Sequence, residues 1–490
     1  MRQISFKNFR KFKDFPNMEL GPITILVGAN NAGKSTVVKA ILSILDFLDT
    51  RYYQMDEGNE KSILNQNFYF NESYFAHVGT FKRALYNGSK DGVISFSLAL
   101  DDISFDISVK GNLDDEESIS AKVTKISITL LKWNIKIDYD FVKDEMMMNF
   151  SKSPSKLYDG DKSLKSKRKQ MLQNKRRDYF ETIHEDFCRP SKLSGESHYV
   201  MAPLIEWLLD RFSSTVKALS DAIEENKEDL FPTLSESQKQ FFIKNKDTFQ
   251  RYMLLDYPFA IMSYENDVEY IYAHAVTQTV IYSAQDTNDY FVKTIHEFAN
   301  LRILEKSQIH QFITSWMEKF EIGMNYEIKS VGGEAHIVKI INRDGTSVNL
   351  ADKGMGSIQL MILLFRLGTK MEKRKIHHRS STTIIIEEPE QNLHPKLQSK
   401  LADLFLELNK KYRFNFIIET HSEYFIRKTQ TFVRKHYNTE KTQKENPFTV
   451  YYFPSEGVPY QMKYRTDGKF ENSFGSGFFD EASNLAFELF

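Results

Sequence analysis

The sequence has 490 residues, a formal net charge of −1 at pH 7 and a single cysteine, Cys188. This length allows about two to four domains, and a hydrophobic content of 41% is enough for a sizeable core. The composition excludes internal disulfides and a global positive field for nucleic acid. It also excludes a transmembrane helix, which needs about 18 or more consecutive apolar residues. Because the first residues lack an apolar signal segment, a cytoplasmic location without membrane contact is expected.

A strand from Ile4 to Phe9 and a phosphate loop come first in the chain. An apolar run from Ile23 to Val27 predicts a buried strand, which leads into Gly-x-x-x-x-Gly-Lys-Ser at 28–35 and then into apolar residues at helical spacing. Backbone N–H groups of such a loop and the helix N-terminus bind phosphates. Lys34 is predicted to contact the β- and γ-phosphates, and the Ser35 hydroxyl to hold Mg²⁺. The expected nucleotide-binding residues here are Gly28, Asn30, Asn31, Ala32, Gly33, Lys34, Ser35 and Thr36.

Alternating apolar residues then predict an antiparallel β-meander. The four stretches are 93–100, 103–109, 123–131 and 133–141. Asp residues and a Gly-Asn pair mark the turns between them. This region is not expected to hold catalytic residues.

The middle of the chain, 151–325, is predicted to be a mainly α-helical insertion with its own core. Eight lysines and arginines lie between Lys162 and Arg177. Two interpretations of this basic run stay open: a solvated helix or loop, and a contact to the phosphates of DNA or RNA. Beyond it, apolar residues recur at helical spacing in runs too short for a long coiled-coil arm.

Three further motifs follow after strands predicted in 326–350. A Gly-rich turn at 354–359 opens an apolar helix, so Gly354, Gly356 and Ser357 form a second candidate anion site. A buried strand at 382–386 ends in Glu387 and Glu388. Glu387 is predicted to face Mg²⁺ and Glu388 to polarise the attacking water.

A second buried strand, at 414–419, is followed by His421. This strand is predicted to run parallel to the one that carries the acids. The carboxyl ends of parallel strands form the ligand edge of an open α/β sheet. His421 is therefore a candidate catalytic residue together with Glu388 and Lys34.

The order and spacing of these motifs resemble the ABC-type ATPase heads of the SMC and OLD-like families. Glu387 lies 353 positions after Lys34 (387 − 34), whereas a ring-forming hexameric ATPase places its acids soon after the phosphate loop. The resemblance implies an α/β fold: an ABC-type head with a phosphate loop, a mixed sheet and an antiparallel β-subdomain, interrupted by the helical insertion. The head would comprise 1–150 and 326–490, and the insertion 151–325.

The same resemblance implies roles for individual residues. Residues 354–359 look like a divergent signature turn, 392–395 like the D-loop, and His421 like the switch histidine. Arg10, in an Asn-Phe-Arg start, matches an arginine that touches nucleotide in the family. The nucleotide would be ATP with Mg²⁺, sandwiched between two heads so that each phosphate loop faces the signature turn of the other copy.

The tail favours one branch of these families. Only 69 residues follow His421 (490 − 421), and they contain no Asp-x-Asp cluster of the kind a Toprim nuclease domain carries. The chain then looks like the stand-alone ATPases of bacterial anti-phage defence systems, such as the Septu ATPase, which work with a separately encoded nuclease. The expected function is a dimeric ATPase, converting ATP and water to ADP and phosphate, that controls such an effector. The alternatives are a DNA repair or maintenance ATPase of the OLD or SMC type, a transporter ATPase subunit, and a self-sufficient nuclease.

Overall fold

The fold is given by a computed structural model that describes residues 1–48, 67–70, 78–100, 103–131, 135–143, 145–150, 268–272, 279–283, 289–377, 382–475 and 478–488. No helix in these ranges is long and apolar enough to cross a membrane. The basic run from Lys162 to Arg177 and Cys188 lie outside the described residues. The predictions made for them stay predictions.

The N-terminal region is mostly β-structure. Buried and partly exposed residues alternate along its strands because one face of each strand packs on the core. Its elements are β1 (Gln3–Phe9), β2 (Phe12–Glu19), β3 (Ile23–Gly28), α1 (Lys34–Leu48), β4 (Asn67–Tyr69), α2 (Phe81–Ala84), β5 (Val93–Ala99), β6 (Ile103–Lys110), β7 (Ser120–Leu130), β8 (Ile135–Asp140) and β9 (Glu145–Phe150).

An antiparallel sheet in the order β2-β1-β5-β6-β7-β8-β9, with β4 beside β7, uses all of these strands except β3. The predicted β-meander is confirmed, and β1 and β2 extend it. Phe6, Phe9 and Phe96 form edge-to-face ring pairs on its buried face, with centroids 5.0–5.6 Å apart. This face packs against α1, so the β-subdomain supports the helix that begins at the phosphate loop.

The second half of the described chain alternates helices and strands. Typical caps set the helix ends: Ser422 accepts a hydrogen bond from the Phe425 N–H, and Arg413 ends a helix in the left-handed region, with φ of 54°. The elements are β10 (Val268–Ile271), β11 (Tyr282–Ser283), α3 (Tyr290–Asn300), α4 (Gln308–Lys319), β12 (Asn325–Val331), β13 (Ala335–Ile341), β14 (Ser347–Asn349), α5 (Met355–His377), β15 (Thr382–Glu387), α6 (Pro395–Tyr412), β16 (Phe414–Glu419), α7 (Glu423–His436), α8 (Glu440–Gln443), β17 (Phe448–Phe453), β18 (Tyr460–Met462) and α9 (Glu481–Glu488).

The central sheet is mixed, in the order β10-β15-β16-β3-β17-β18. Its first five strands are parallel, and β18 is antiparallel to β17. All of β3 is buried, as expected for a parallel strand covered on both faces. In this register Glu419 lies between Glu387 on β15 and Leu26 on β3. The predicted α/β head, with a phosphate loop, a mixed sheet and an antiparallel β-subdomain, is confirmed.

Several described elements between β10 and α4 contact the head. β10 pairs with β15 in the central sheet, and α3 and α4 pack on α5. The rings of Phe298 and Phe365, for example, stack with centroids 4.4 Å apart. β10, α3 and α4 therefore pack on the head, and the predicted division into 1–150, 151–325 and 326–490 stays a prediction. The apolar stripes of α3 and α4 were visible in the sequence, but such a stripe does not identify the element against which a helix packs.

A buried ion network fastens β10 to α5. Glu269 on β10 accepts a hydrogen bond from Arg366 and lies 2.7 Å from the Lys370 ammonium. Arg366 also donates to Glu297 on α3, at 2.7 Å. Burial opposes the charge on Glu269, but the attraction of Lys370 and Arg366 outweighs it and lowers the pKa of this carboxyl. The network therefore holds an edge strand of the sheet against α5, the helix that follows the Gly-rich turn at 354–359.

Aromatic residues of the tail pack on the other edge of the sheet. The Phe474 ring contacts Tyr452 of β17, with centroids 5.4 Å apart, and Phe470 contacts Tyr464 at 4.6 Å. Phe478 and Phe479 extend this cluster. This part of the tail is thus used for packing within the head. Leu485 and Phe487 of α9 remain exposed, at 52% and 80%.

Candidate functional site

The loop between β3 and α1 has a backbone that only glycine allows at two points. Gly28 and Gly33 have φ angles of 147° and 103°, where residues with a Cβ are disfavoured. A Cβ on Gly28 would lie 2.1 Å from the Phe453 carbonyl oxygen, and one on Gly33 2.4 Å from the Phe12 ring. The two glycines of the motif are therefore required by close packing as well as by backbone conformation.

Lys34 is buried at the start of α1, with 3% of its surface exposed. Its ammonium donates to the carbonyl oxygens of Ala29, at 2.9 Å, and Gly28, at 3.1 Å. It also lies 3.9 Å from Glu419 Oε1. Burial lowers the pKa of Lys34, and the nearby carboxylates, Glu419 first, oppose that shift. A charged ammonium enclosed by the loop fits a contact to triphosphate oxygens.

The rest of the phosphate loop lies beside the turn that carries Arg10. The Thr36 N–H donates to the Gly33 carbonyl at 3.1 Å. Asn30 and Asn31 are exposed, whereas Ala32 is buried. Arg10 lies in the β1–β2 turn, whose Lys11 donates to the Asn31 carbonyl at 3.0 Å. This turn therefore borders the phosphate loop, and burial together with the charge of Arg83 lowers the pKa of Arg10.

Two carboxylates and a hydroxyl meet beside the loop. The Ser35 hydroxyl donates to Glu419 Oε1 at 3.0 Å, and Glu419 is the cross-strand neighbour of Glu387. Burial raises the pKa of Glu419 to about 7, and the charge of Glu387 adds to this shift. On its other side Glu387 is hydrogen-bonded to Tyr270 of β10. Burial, followed by the charge of Glu387, raises the pKa of Tyr270.

This donor set fits Mg²⁺. The ion prefers oxygen ligands and is usually held by one or two carboxylates together with substrate phosphates. Ser35, Glu387 and Glu419 supply such oxygens, and Glu419 Oε2 is buried without a hydrogen-bond partner. Within the described ranges no group of three or more His, Cys, Asp or Glu residues could hold a metal by itself, so nucleotide phosphates would complete the coordination. A bound Mg²⁺ neutralises charge on the β- and γ-phosphate oxygens.

Glu388 and His421 face each other at the same edge. Glu388 has φ of 43°, which is uncommon for a residue other than glycine. Its N–H donates to the Glu419 carbonyl at 2.8 Å. Its Oε1 lies 3.6 Å from His421 Nε2, and its Oε2 accepts from Gln391. Burial and the charge of Lys34 lower the pKa of His421, which favours a neutral imidazole near pH 7.

Sequence reasoning assigned no role to Glu390 or to Glu419. Glu390 is buried and accepts hydrogen bonds from the His421 N–H, at 2.6 Å, and from the Thr420 side chain. Burial raises its pKa. It fixes the backbone from which His421 projects. For Glu419 a signal existed, since it is an acid that ends an apolar strand, the same pattern that identified Glu387.

The Gly-rich turn at 354–359, predicted to be a signature turn, packs against the predicted D-loop at 392–395. A Cβ on Gly356 would lie 2.5 Å from the Asn392 carbonyl oxygen. The Asn392 side chain also donates to Gln359, at 3.2 Å. Gly354 has open space around its Cα, and its carbonyl accepts from the Ser357 N–H at 2.8 Å. The structure thus joins the two predicted loops to each other.

The phosphate loop, the paired acids and the histidine lie together at one edge of an α/β sheet. This arrangement is that of a phosphate-loop ATPase head. The sequence agrees, because the family model described as an AAA ATPase domain matches residues 1–426. The chain belongs to this family. The expectation that it is a nucleotide-binding ATPase is confirmed at the level of the family. A search among curated proteins found no match.

Several solved structures of SMC heads are similar at low identity. One is an SMC head domain with an extended coiled coil bound to the C-terminal domain of ScpA, from Pyrococcus furiosus, at 12% identity and a TM-score of 0.34 over 100% of this chain and 98% of that chain. Another is the SMC head domain from Thermotoga maritima, at 10% identity and a TM-score of 0.33 over 95% and 100% of the two chains.

Proposed function

We propose that this chain binds ATP with Mg²⁺ and hydrolyses it to ADP and phosphate. The observation that carries this proposal is the pair of Glu388 and His421, 3.6 Å apart, at the edge where Lys34 projects. Lys34 and the loop N–H groups would hold the β- and γ-phosphates. Glu388 would accept a proton from the attacking water, and His421 would contact that water or the γ-phosphate. Glu387 and Ser35 would hold the metal.

The second half of each site belongs, in this proposal, to a second copy of the chain. Gly354 is exposed with open space around it, and Met355 beside it is 46% exposed. The turn opens α5, and the N–H groups at a helix start attract anions. Gly356 contacts the predicted D-loop and the Ser357 N–H bonds the Gly354 carbonyl, so the Gly354 N–H and the Ser357 hydroxyl would contact the γ-phosphate held by the partner.

ATP is expected to drive dimerisation of the Glu388→Gln protein, which would hold ATP without hydrolysing it. Adding Gly354→Asp should abolish the dimer by placing a carboxylate against the γ-phosphate. Gly354→Asn is the matched control: it has the same size, also suits a helix start, lacks the charge, and should keep the dimer.

Size-exclusion chromatography with and without ATP measures the outcome. A dimer that survives Gly354→Asp would place the interface elsewhere. Gly356→Asp is unsuitable, because any Cβ there collides with Asn392.

We further propose that the ATPase cycle controls a separately encoded effector, a nuclease, in bacterial anti-phage defence. The support is the resemblance of the motif order to stand-alone defence ATPases. The candidate docking surfaces are the insertion before residue 268 and the exposed end of α9. The segment from Lys162 to Arg177 would contact DNA or RNA. A DNA repair or maintenance ATPase is the second candidate, and co-purification with a membrane protein would favour a transporter subunit instead.

The lone chain is accordingly expected to leave DNA and RNA intact with Mg²⁺ or Mn²⁺. Adding the product of a neighbouring gene should form a stable complex with nucleolytic or toxic activity, and Lys34→Ala should abolish that activity. Gel assays of nucleic acid integrity, run with and without the partner, measure this. Metal-dependent nuclease activity of the lone chain, lost in a point variant outside the ATP site, would contradict the proposal.

A further inference from the structure

Glu419 occupies a position in the site that the ATPase motifs do not account for. It ends β16, the strand between the acid-bearing β15 and the phosphate-loop strand β3. Only 5% of its surface is exposed. One carboxylate oxygen is 3.0 Å from the Ser35 hydroxyl and 3.9 Å from the Lys34 ammonium. The other oxygen is buried without a hydrogen-bond partner.

A buried carboxylate with an unsatisfied oxygen is costly, and native structures rarely keep one without a reason. Glu419 also stands beside the like charge of Glu387. A triphosphate bound at Lys34 would add further negative charge at the same place. These charges repel one another unless a cation lies between them.

The position of such a cation follows from Ser35. A Mg²⁺ ion bound to the Ser35 hydroxyl would come within reach of Glu419, which already contacts that hydroxyl. Glu387 approaches from the neighbouring strand in the same register. The free oxygen of Glu419 would then gain a partner, and the repulsion between the carboxylates and the phosphates would be offset.

We propose that Glu419 is an additional residue of the metal site, facing the divalent cation together with Ser35 and Glu387, and that it makes ATP binding depend strictly on that cation. This inference rests on the proposed ATPase function. Without a cation the Glu419 carboxylate repels the triphosphate, and with the cation it attracts the metal complex. Glu419 would thus select the metal-bound nucleotide over the free nucleotide.

Glu419→Gln tests this in the full-length chain, because the amide keeps an oxygen that can accept from Ser35 while the charge is removed. Mn²⁺ affinity in the presence of ATP, measured by electron paramagnetic resonance, should fall roughly 10–100-fold, the usual cost of disturbing groups around a metal. Binding of a fluorescent ATP analogue in EDTA should instead become tighter than in the wild type. A local folding defect would weaken both, so opposite changes are specific to the proposal.

Glu423→Gln is the matched control. Glu423 lies four residues further along, at the start of α7, and pairs with Arg427 at 3.1 Å on the surface, so both affinities should match the wild type. The inference is wrong if Glu419→Gln keeps the wild-type Mn²⁺ affinity and the wild-type affinity for metal-free nucleotide. If the wild-type chain does not bind ATP with Mg²⁺ at all, the proposed ATPase function itself fails. That result differs from unchanged affinities in Glu419→Gln, which would overturn only the role of Glu419.

Discussion

Replacing Glu388 by Gln is expected to slow ATP turnover at least ~10²-fold while ATP binding is retained, because loss of a positioned base usually costs this much. The amide keeps the size of the side chain but cannot take a proton from water. Glu388 lies outside the cradle formed by Gly28, Gly33 and Lys34, so the affinity for ATP should change little. Phosphate release at saturating ATP and equilibrium ATP binding, measured on the same preparation, separate the two effects.

Glu387→Gln provides the comparison. Glu387 neighbours Glu419 and is hydrogen-bonded to Tyr270, so its loss should weaken Mg²⁺-dependent binding as well as turnover. If Glu388→Gln hydrolyses ATP at the wild-type rate and Glu387→Gln does not, the two roles are reversed.

Glu269→Gln is expected to lower the free energy of unfolding by ~3–5 kcal/mol, the usual cost of breaking a buried ion pair from one side. Arg366 and Lys370, with side chains 12% and 14% exposed, would keep their charges without the carboxylate that balances them. β10 would then be held less firmly against α5. Denaturant unfolding followed by circular dichroism measures the loss.

Glu297→Gln is the control for this network. Glu297 also pairs with Arg366, but its side chain is 28% exposed and its second partner, Lys373, is 47% exposed. A solvated pair contributes about 1 kcal/mol or less, so the loss should be much smaller. Equal losses in the two variants would show that burial of Glu269 does not set the cost.

The sequence was sufficient to predict where most of the site would form. Apolar strands ending at Gly28, Glu387 and Glu419 had to be parallel neighbours for their motifs to act together, and parallel strands present their carboxyl ends at one edge. The structure places β3, β15 and β16 side by side. The strand pattern and the family resemblance together predicted that Lys34, Glu388 and His421 lie near one another, and Glu388 and His421 are 3.6 Å apart.

Contacts between distant segments could not be predicted in this way. Tyr270 reaches Glu387 across 117 positions (387 − 270), and a strand as short as β10 carries no signal that identifies its partner. The contact of Gly356 with Asn392 depends on how closely two loops approach. The packing of Phe474 on Tyr452 likewise depends on how the tail folds back over β17.

In the proposed function this sheet edge binds ATP through Lys34, and Glu388 acts on hydrolysis alone. Calorimetric titration of ATP with Mg²⁺ into the Glu388→Gln protein, with the Glu388→Gln, Lys34→Ala double variant as the blank, tests it most directly. Saturable binding to the single variant and none to the double variant is the predicted result. Equal binding to both variants would contradict the role of Lys34, and binding to neither would contradict ATP binding at this edge.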